Sequence, residues 1–305
     1  MKSVVINKND ADQRVDKFLS KFCKNMPQSM LYKAIRKKRI KVNGKKTEIN
    51  YRLKEGDKVD LYINDEFFSS SSYSEYQNIV PRLDVVYEDE NIILMNKKSG
   101  MLAHDSKGEK SDTLLTHMKA YLYQKGEYRP EEEHSFSPAL CNRIDRNTAG
   151  IVIAAKNASA LKLINEKIKN REIKKYYICL AEGIFKQKDG TLRGSLTKNH
   201  EENKVYIKED GKKDIVTKYR VIKENADTSV VEIELITGRS HQIRAHLASI
   251  GHPLVGDTKY GAKKKLKSHT GQALCAYKIK FDFCNENILS YLNQKTFEIK
   301  NTDFM

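Results

Sequence analysis

The sequence predicts an α+β protein with two domains. The chain has 305 residues, which is longer than one ordinary domain. A small polar run from Ser69 to Ser72 separates two regions with different patterns of apolar residues. Short β-branched strands dominate the second region, without a regular alternation of strand and helix. We therefore expect a small domain over residues 12–64, a linker over 65–80 and a domain with a mixed, largely antiparallel sheet over 81–300.

Two helices are predicted at the start of the first domain, because apolar residues recur there with helical spacing. The residues that share one face of the first helix are Val15, Leu19, Phe22 and Cys23. Those of the second helix are Leu31, Ala34 and Ile35. Ser29 is the predicted N-cap of the second helix.

A hairpin and a cluster of positive charge follow. Asn43-Gly44 supplies the two positive φ angles that a tight hairpin turn requires, and Val59, Leu61 and Ile63 alternate as in a strand. The basic residues at the end of the second helix and in the next strand are Arg36, Lys37, Lys38, Arg39 and Lys41. Most such runs form a solvated helix face, but clustering beside a hairpin favours contacts with phosphates.

This stretch resembles the S4-type RNA-binding domain. The segments that carry the resemblance are Arg14-Val-Asp-Lys-Phe-Leu, Ile40-Lys-Val-Asn-Gly44 and Leu53-Lys-Glu-Gly-Asp57. The resemblance implies two packed helices followed by a small sheet, and it makes the five basic residues candidates for RNA binding.

The second domain is predicted to contain mainly strands. Its β-branched segments are 84–87, 92–94, 150–154, 177–180 and 230–235. Helices are predicted over 158–168, where Leu161, Ile164 and Ile168 form one stripe, and over 241–250, which Gly251 and Pro253 end.

Composition indicates the class of partner and the compartment. A net charge of +16 and a pI near 9.4 favour a polyanion, most commonly nucleic acid. The five cysteines form no CxxC pair, which is typical of reduced thiols in the cytosol. No apolar stretch approaches the roughly 18 residues of a membrane span. We expect a cytoplasmic protein without a membrane partner, and a monomer.

Motifs for cofactors are absent from the sequence. There is no GxxxxGK[ST] phosphate loop, no GxGxxG after a strand and no GxSxG elbow. No HExxH or Cys/His ligand set is present. We therefore expect no nucleotide cofactor and no metal, so that any catalysis depends on the protein's own side chains.

Two polar clusters contain the candidate catalytic residues. Asp145 lies between Arg143 and Arg146, just before a predicted buried strand. Most such carboxylates cap turns or form surface ion pairs, but one held ionised by a guanidinium can act as a base or nucleophile. The second cluster, Thr237-Gly-Arg-Ser-His-Gln-Ile-Arg-Ala-His246, supplies such a guanidinium in Arg244. A helix is predicted to start there with Ser240 near its N-cap, which makes His241 and Arg244 neighbours on one face.

Both clusters resemble the signatures of the RluA-type pseudouridine synthases. The matching segments are Arg143-Ile-Asp145 with Thr148-Ala-Gly150, Gly238-Arg-Ser-His-Gln-Ile-Arg244 with His246, Gly256-Asp-Thr-Lys-Tyr-Gly261, Tyr87-Glu-Asp-Glu90 with Lys97, Gly100 and His104, and Lys175-Tyr-Tyr177 with Gly183. The resemblance covers residues 83 to about 280. It implies isomerisation of uridine to pseudouridine in ribosomal or transfer RNA.

The resemblance also implies roles for single residues. Asp145 would be the catalytic aspartate, Arg244 its ion-pair partner, and Tyr177 the residue that stacks on the target base. Tyr176 is the alternative to Tyr177 if the alignment slips by one. The residues expected to bind RNA in this domain are Arg143, Arg239, His241 and Gln242. Asn142, Lys98 and Cys275 depart from the commoner family pattern, which leaves the subfamily and the RNA target open.

Several alternatives stay open at this point. Asp145 would either attack the sugar or remove a proton from C2′ to form a glycal. Large-subunit ribosomal RNA is the favoured target, as naked RNA or within an assembling particle. A non-catalytic RNA-binding protein for ribosome assembly would explain the charge but not the polar clusters. An RNA methyltransferase would require a glycine-rich cofactor loop, which the sequence lacks.

Overall fold

The computed structural model describes residues 1–68, 76–105, 112–199, 204–208, 214–265 and 271–300. The predicted serine linker, Ser69 to Ser72, lies outside these residues. The chain divides into two compact units. The first unit comprises Met1–Pro81, Lys119–Ala139 and Lys156–Leu161, and the second comprises Arg82–Met118, Leu140–Ala155 and Lys162–Met305.

The N-terminal part of the first unit contains two helices and a small antiparallel sheet. Its elements are β1 (Lys2–Val5), α1 (Val15–Phe22), α2 (Gln28–Arg36), β2 (Ile40–Val42), β3 (Lys45–Lys46) and β4 (Lys58–Leu61), with the sheet order β1-β4-β2-β3. The predicted helix faces are confirmed, because Val15, Leu19, Leu31 and Ile35 are all buried in one core. The predicted hairpin turn is confirmed by φ angles of 51° at Asn43 and 73° at Gly44.

Two details of this part differ from the prediction. Helix α2 begins at Gln28, so Ser29 lies inside its first turn and is not the N-cap. Pro27 occupies the N-cap position, where its carbonyl accepts the first helical hydrogen bond from Leu31 N–H at 3.0 Å. Strand β4 ends at Leu61, so Ile63 lies beyond it although its side chain is buried in the same core.

A large sheet forms most of the second unit. The elements that follow β4 are β5 (Val85–Glu88), β6 (Ile92–Lys97), α3 (Leu114–Gln124), β7 (Ala139–Leu140), β8 (Ala149–Ala155), α4 (Ala158–Lys169), β9 (Ile173–Glu182), β10 (Asp189–Asn199), β11 (Lys204–Lys208), β12 (Asp214–Glu224), β13 (Thr228–Leu235), α5 (Gln242–Ser249), β14 (Leu274–Phe281) and β15 (Thr296–Glu298). Nine strands lie in the order β11-β10-β12-β13-β9-β14-β8-β6-β5, and only the pair β14–β8 is parallel among these neighbours. The prediction of a mixed, largely antiparallel sheet is therefore confirmed.

The strand order brings the two polar clusters to the same region of the sheet. The loop that contains Asp145 leads into β8, and β9 lies two positions away, next to β14. Helix α5 follows β13 and packs through Ala245 on Leu196, Val205 and Ile215 of the outer strands. Tyr260, in the segment between α5 and β14, packs in the same apolar cluster as Ala245.

The parallel pair β8–β14 depends on a glycine. Gly150 has a φ of 116° and is paired with Ala276 across the two strands. A Cβ at position 150 would overlap the Ala276 carbonyl oxygen and lie 2.5 Å from the Ala276 nitrogen. Since both atoms belong to backbone, neither can move without disturbing the sheet.

We expect Gly150→Ala to lower the free energy of unfolding by roughly 2–4 kcal/mol, through backbone strain and overpacking. Urea denaturation followed by circular dichroism measures this loss. The matched control is Gly261→Ala, because Gly261 also has positive φ (90°), but a Cβ added there would meet no atom within 4 Å. Equal losses in the two variants would show that strain alone, and not the contact with Ala276, sets the cost.

Candidate active site

The loop from Cys141 to Thr148 positions Asp145. Thr148 N–H donates to the Asp145 carbonyl at 3.0 Å, and the buried Gln272 amide donates to the Thr148 hydroxyl at 3.0 Å. These two hydrogen bonds hold the backbone of Asp145 in a tight turn. Its side chain reaches the surface of a cavity and is 30% exposed.

The next residues of the loop are held by Lys97. The Lys97 ammonium is fully buried and donates to the Arg146 carbonyl at 2.8 Å and to the Met101 carbonyl at 2.8 Å. Arg146 in turn donates through Nε to the Gly100 carbonyl at 3.0 Å. Burial lowers the pKa of Lys97 to about 8, and the negative charge of Asp145 opposes this shift.

Arg244 links Asp145 to a second carboxylate. Its Nε and Nη2 donate to the two oxygens of Asp257 at 2.7 and 2.8 Å, and its Nη1 donates to Asp145 Oδ2 at 3.2 Å. The guanidinium also stacks over the Tyr260 ring at 5.0 Å from the centroid. Burial disfavours the cation, but Asp257 and Asp145 outweigh that and raise the pKa of Arg244 above its ordinary value. A permanent positive charge is thus fixed against Asp145.

Asp257 was not among the predicted site residues. It lies in the segment Gly256–Gly261, and only 1% of its side chain is exposed. Because it binds two donors of Arg244 in parallel, it sets the plane of the guanidinium and hence the direction of Nη1. The signal available in the sequence was that an acidic residue stands in a segment that carries the family resemblance, Gly256–Gly261.

His241 reaches Asp145 from a different backbone position than predicted. Helix α5 begins at Gln242, and His241 precedes it with a left-handed φ of 56°. Ser240 is therefore not the N-cap, and His241 and Arg244 do not share a helical face. The His241 Nε2 lies 3.9 Å from Asp145 Oδ2, and its Nδ1 lies 3.1 Å from the Tyr260 hydroxyl. Burial lowers the pKa of His241 despite the opposing charge of Asp145, so the imidazole is neutral near pH 7.

Gln242 is buried, and both the oxygen and the nitrogen of its side-chain amide form hydrogen bonds. Its Oε1 accepts from the Thr237 hydroxyl at 3.0 Å and from Arg239 N–H at 3.2 Å, and its Nε2 donates to Thr217 Oγ1 at 2.9 Å. These bonds, rather than a Ser240 cap, form the corner between β13 and α5. The structure thus gives the side chain a positioning role at this corner, while the expected contact with RNA stays a prediction.

Strand β9 contributes Tyr177 to the cavity. Side chains alternate along a strand, so Tyr177 faces the cavity while Tyr176 packs on the other face beside Cys275 and Tyr277. Burial, together with the nearby charge of Asp145, raises the pKa of Tyr177 above its ordinary value, so that the phenol stays protonated. Of the two tyrosines considered, Tyr177 is the one that lines the cavity.

The cavity has a volume of about 320 Å³. Asp145 and Tyr177 line it, with Ile168, Leu235 and Leu274 as its apolar part. The cationic residues of its wall are Arg143, Lys175, Arg239 and Arg244. Arg143 and Arg239 are exposed, and Arg143 Nη2 lies 3.5 Å from the Ser240 hydroxyl. Asp145 is the only carboxylate among the described residues that line this cavity, so the site suits an anionic ligand.

A second cavity of about 310 Å³ shares Arg143, Asp145 and His241 with the first. Its remaining wall includes His104, Asp105 and Val205 of β11. Asp145 is therefore accessible from two adjoining spaces. Strand β11 was not predicted, although Val205, Tyr206 and Ile207 are residue types typical of strands.

The five predicted basic residues of the first unit lie together at the end of α2 and on β2. Those with exposed side chains are Arg36, Lys37, Lys38 and Arg39. Lys41 is half-buried, with its ammonium 5.4 Å from the Tyr62 ring centroid. The cluster is thus a surface feature of this unit, and its role in RNA binding stays a prediction.

Within the described ranges, no group of three or more His, Cys, Asp or Glu side chains is arranged to hold a metal ion. No helix in the same ranges is long and apolar enough to cross a bilayer.

Comparison with protein families gives two matches. The profile of the RNA pseudouridylate synthase family matches residues 91–249, and that of the S4 domain matches residues 13–59. Both matches agree with the resemblances found in the sequence. The candidate residues of both polar clusters, from Arg143 to Arg244, lie within the first match.

Similar proteins cover nearly the whole chain. An "Uncharacterized RNA pseudouridine synthase" of Mycoplasma capricolum subsp. capricolum is 32% identical over 100% of this chain and 99% of its own length. The "Ribosomal large subunit pseudouridine synthase C" of Vibrio parahaemolyticus is 31% identical over 88% of this chain and 82% of its own length. Among solved structures, human RNA Pseudouridylate Synthase Domain Containing 1 has a TM-score of 0.55 at 22% identity, over 68% of this chain and 82% of that chain. The structural similarity concerns the fold.

Proposed function

The chain belongs to the RNA pseudouridylate synthase family and is an RNA pseudouridine synthase. We propose that it isomerises uridines of large-subunit ribosomal RNA. Asp145 is the catalytic carboxylate in this proposal, and no cofactor takes part. The observation that carries it is the ion-paired row Asp145–Arg244–Asp257 at the wall of a cationic cavity.

The reaction fits a site that contains only side chains. Pseudouridine formation breaks the bond between C1′ and N1, turns the uracil and joins C1′ to C5. Only the C5 proton leaves, and no oxidation state changes. Arg244 Nη1 donates to Asp145 Oδ2, which fixes a positive charge beside the carboxylate. A carboxylate can attack C1′ or remove the C2′ proton, and the proposal includes both routes.

The cavity suits an extruded nucleotide. A volume of about 320 Å³ lies in the range of pockets that enclose small ligands. A uridine must leave its stack to reach Asp145, which costs a few kcal/mol. Stacking on Tyr177 would offset about 1–3 kcal/mol of this cost. In this proposal, Arg143 and Arg239, which line the cavity with exposed side chains, contact the phosphates on either side.

The target class rests on the relatives and on charge. Proteins that are 31% and 32% identical to this chain have the name ribosomal large subunit pseudouridine synthase C. The net charge of +16 favours binding to a long polyanion. Such RNA is cytoplasmic, and five cysteines without a disulfide agree with a reducing compartment. We propose a cytoplasmic enzyme that acts as a monomer.

Release of tritium tests the proposed function. The purified protein is incubated with large-subunit, small-subunit and transfer RNA, each labelled with tritium at uridine C5, and tritium in water is counted. We expect release from large-subunit RNA, in stoichiometric proportion to a small number of sites. Release only from transfer RNA would contradict the target class. Salt-sensitive binding without any release would favour a non-catalytic role in ribosome assembly.

The basic cluster of the first unit is expected to supply affinity rather than choice of uridine. Replacing Lys37, Lys38 and Arg39 with Ala should weaken RNA binding roughly 10- to 100-fold at moderate salt. It should also reduce the slope of log K against log salt by about two to three, because fewer counterions are released. The rate at saturating RNA should stay within about threefold of wild type.

Filter binding over a series of KCl concentrations measures these slopes. The matched control removes three exposed lysines elsewhere in the same unit, Lys8, Lys17 and Lys24. If the control variant loses as much affinity and slope, the cluster has no special role in binding.

A further inference from the structure

Among the described residues that line the candidate active site, Lys175 is a cation without a partner. It lies on β9 two residues before Tyr177, so both side chains are on the same face of the strand. Within the described residues, no hydrogen bond or ion pair joins its ammonium, and burial alone lowers the pKa of Lys175, with no carboxylate opposing it. An enclosed charge without a partner costs free energy unless a ligand supplies the missing interactions.

Other enclosed lysines of the same unit do have partners. Lys97 donates to backbone carbonyls, Lys167 donates to Glu172 at 2.6 Å, and Lys278 donates to Glu232 at 2.9 Å. Lys174, the neighbour of Lys175 on β9, pairs with Asp282 at 2.5 Å. The isolation of Lys175 is therefore not a general feature of lysines in this sheet.

The Lys175 ammonium points into the cavity. Both Lys175 and Gly238 line it, and a Cβ at position 238 would lie 3.6 Å from Lys175 Nζ. The absence of a side chain at Gly238 thus leaves the ammonium open to a ligand. Ile168 and Leu235 line the same cavity, whereas the guanidiniums of Arg143 and Arg239 are exposed to solvent. Apolar walls suit a nucleobase, and the exposed guanidiniums suit phosphates.

We propose that Lys175 donates a hydrogen bond to a carbonyl oxygen of the target uracil and stabilises the uracil anion as it leaves the sugar. The proposal rests on the proposed function and deepens it. When the C1′–N1 bond breaks, its electron pair stays on N1 and is shared with the two carbonyl oxygens. The Lys175 ammonium faces this charge without giving up its proton. The anion then attacks C1′ through C5 with the same electron pair. In the nucleophilic route this attack displaces Asp145 from C1′, and in the glycal route C2′ takes back its proton as the new bond forms. C5 then loses its proton, and N1 gains one.

Lys175→Met tests the proposal, because it keeps the length of the side chain and removes the charge. We expect the single-turnover rate at saturating RNA to fall roughly 100-fold, the loss typical of removing one donor to a developing anion. The dissociation constant for RNA should stay within about threefold, because uracil is neutral before the bond breaks. Thermal unfolding should occur at the same or a higher temperature, because an unpartnered enclosed charge is removed.

A second substrate separates anion stabilisation from positioning. Fluorine at C5 withdraws electrons and makes the uracil anion a better leaving group, so this substrate depends less on Lys175. We expect the loss caused by Lys175→Met to shrink at least fivefold when the target is 5-fluorouridine. The readout is breakage of the C1′–N1 bond, followed by digestion of the RNA and quantification of the remaining nucleoside by mass spectrometry.

Lys174→Met is the matched control. It removes the same charge from the adjacent residue, which pairs with Asp282 and does not line the cavity, so rate and affinity should remain near wild type. Weaker RNA binding by Lys175→Met at an unchanged rate would make Lys175 a phosphate contact and overturn the proposal. Equal losses on uridine and 5-fluorouridine, or no loss, would overturn it as well. An inactive wild type on both RNAs would instead contradict the proposed function itself.

Discussion

Asp145→Asn is expected to lower the single-turnover rate of uridine isomerisation by roughly 10⁴-fold or more, the loss typical of removing an essential nucleophile or base. The amide has the shape of the carboxylate but neither its charge nor its basicity. Both routes from Asp145, attack on C1′ and removal of the C2′ proton, require that charge. The prediction therefore does not depend on which route the enzyme uses.

The fold should tolerate this replacement. Asp145 is 30% exposed, and its Oδ2 accepts one hydrogen bond from Arg244. The Asn amide oxygen can accept the same bond, and Arg244 keeps its two bonds to Asp257. We expect the free energy of unfolding to change by less than about 1 kcal/mol and the affinity for RNA to remain near that of wild type.

The measurement combines tritium release with mass spectrometry of digested RNA, under conditions where all RNA is bound. Asp282→Asn is the matched control, because Asp282 also pairs with a cation, Lys174, but lies outside the cavity. A loss of less than about tenfold in Asp145→Asn, with the control unchanged, would show that another group performs the chemistry.

Much of the site could be predicted from the sequence because its residues lie in short, continuous motifs. Asp145 and Arg244 were recognised from their neighbours along the chain, and the structure places them 3.2 Å apart. Tyr177 was separated from Tyr176 by counting to Gly183, and the alternation of β9 places Tyr177 in the cavity. Such motifs and the alternation of a strand involve residues that are close in sequence, so they predict which side chains face the same way.

The remaining features depend on contacts between distant segments. The bond of Asp257 to Arg244 is set by how the segment after α5 returns to it, which no periodicity records. The left-handed φ of His241 occurs at a corner where Gln242 accepts hydrogen bonds from the Thr237 hydroxyl and from Arg239 N–H. Lys175 has no hydrogen-bond or ion-pair partner among the described residues, and this depends on every side chain around it. Those side chains come from distant parts of the sequence. The apolar alternation of strand β12 is interrupted, because Thr217 is buried among its inward residues while Ile222 is exposed.

Arg244→Met is expected to reduce both stability and activity, for two separable reasons. The guanidinium spans two carboxylates, and Asp257 is almost wholly buried, with 1% of its side chain exposed. Removing the cation leaves that carboxylate without its partner, which should cost on the order of 3–5 kcal/mol in the free energy of unfolding. Asp145 also loses its fixed positive neighbour, which should lower the single-turnover rate roughly 100- to 1,000-fold.

The double variant Arg244→Met with Asp257→Asn separates these effects. Neutralising Asp257 removes the buried unpaired charge, so we expect most of the lost free energy of unfolding to return, as measured by urea denaturation. The rate should not return, because Asp145 still lacks the positive charge and the hydrogen bond that Arg244 supplies. Since Arg244 and Asp257 are in direct contact, the two replacements should be strongly non-additive in stability. If the double variant recovers the rate together with the stability, Arg244 serves the fold alone, and the reaction does not need its positive charge beside Asp145.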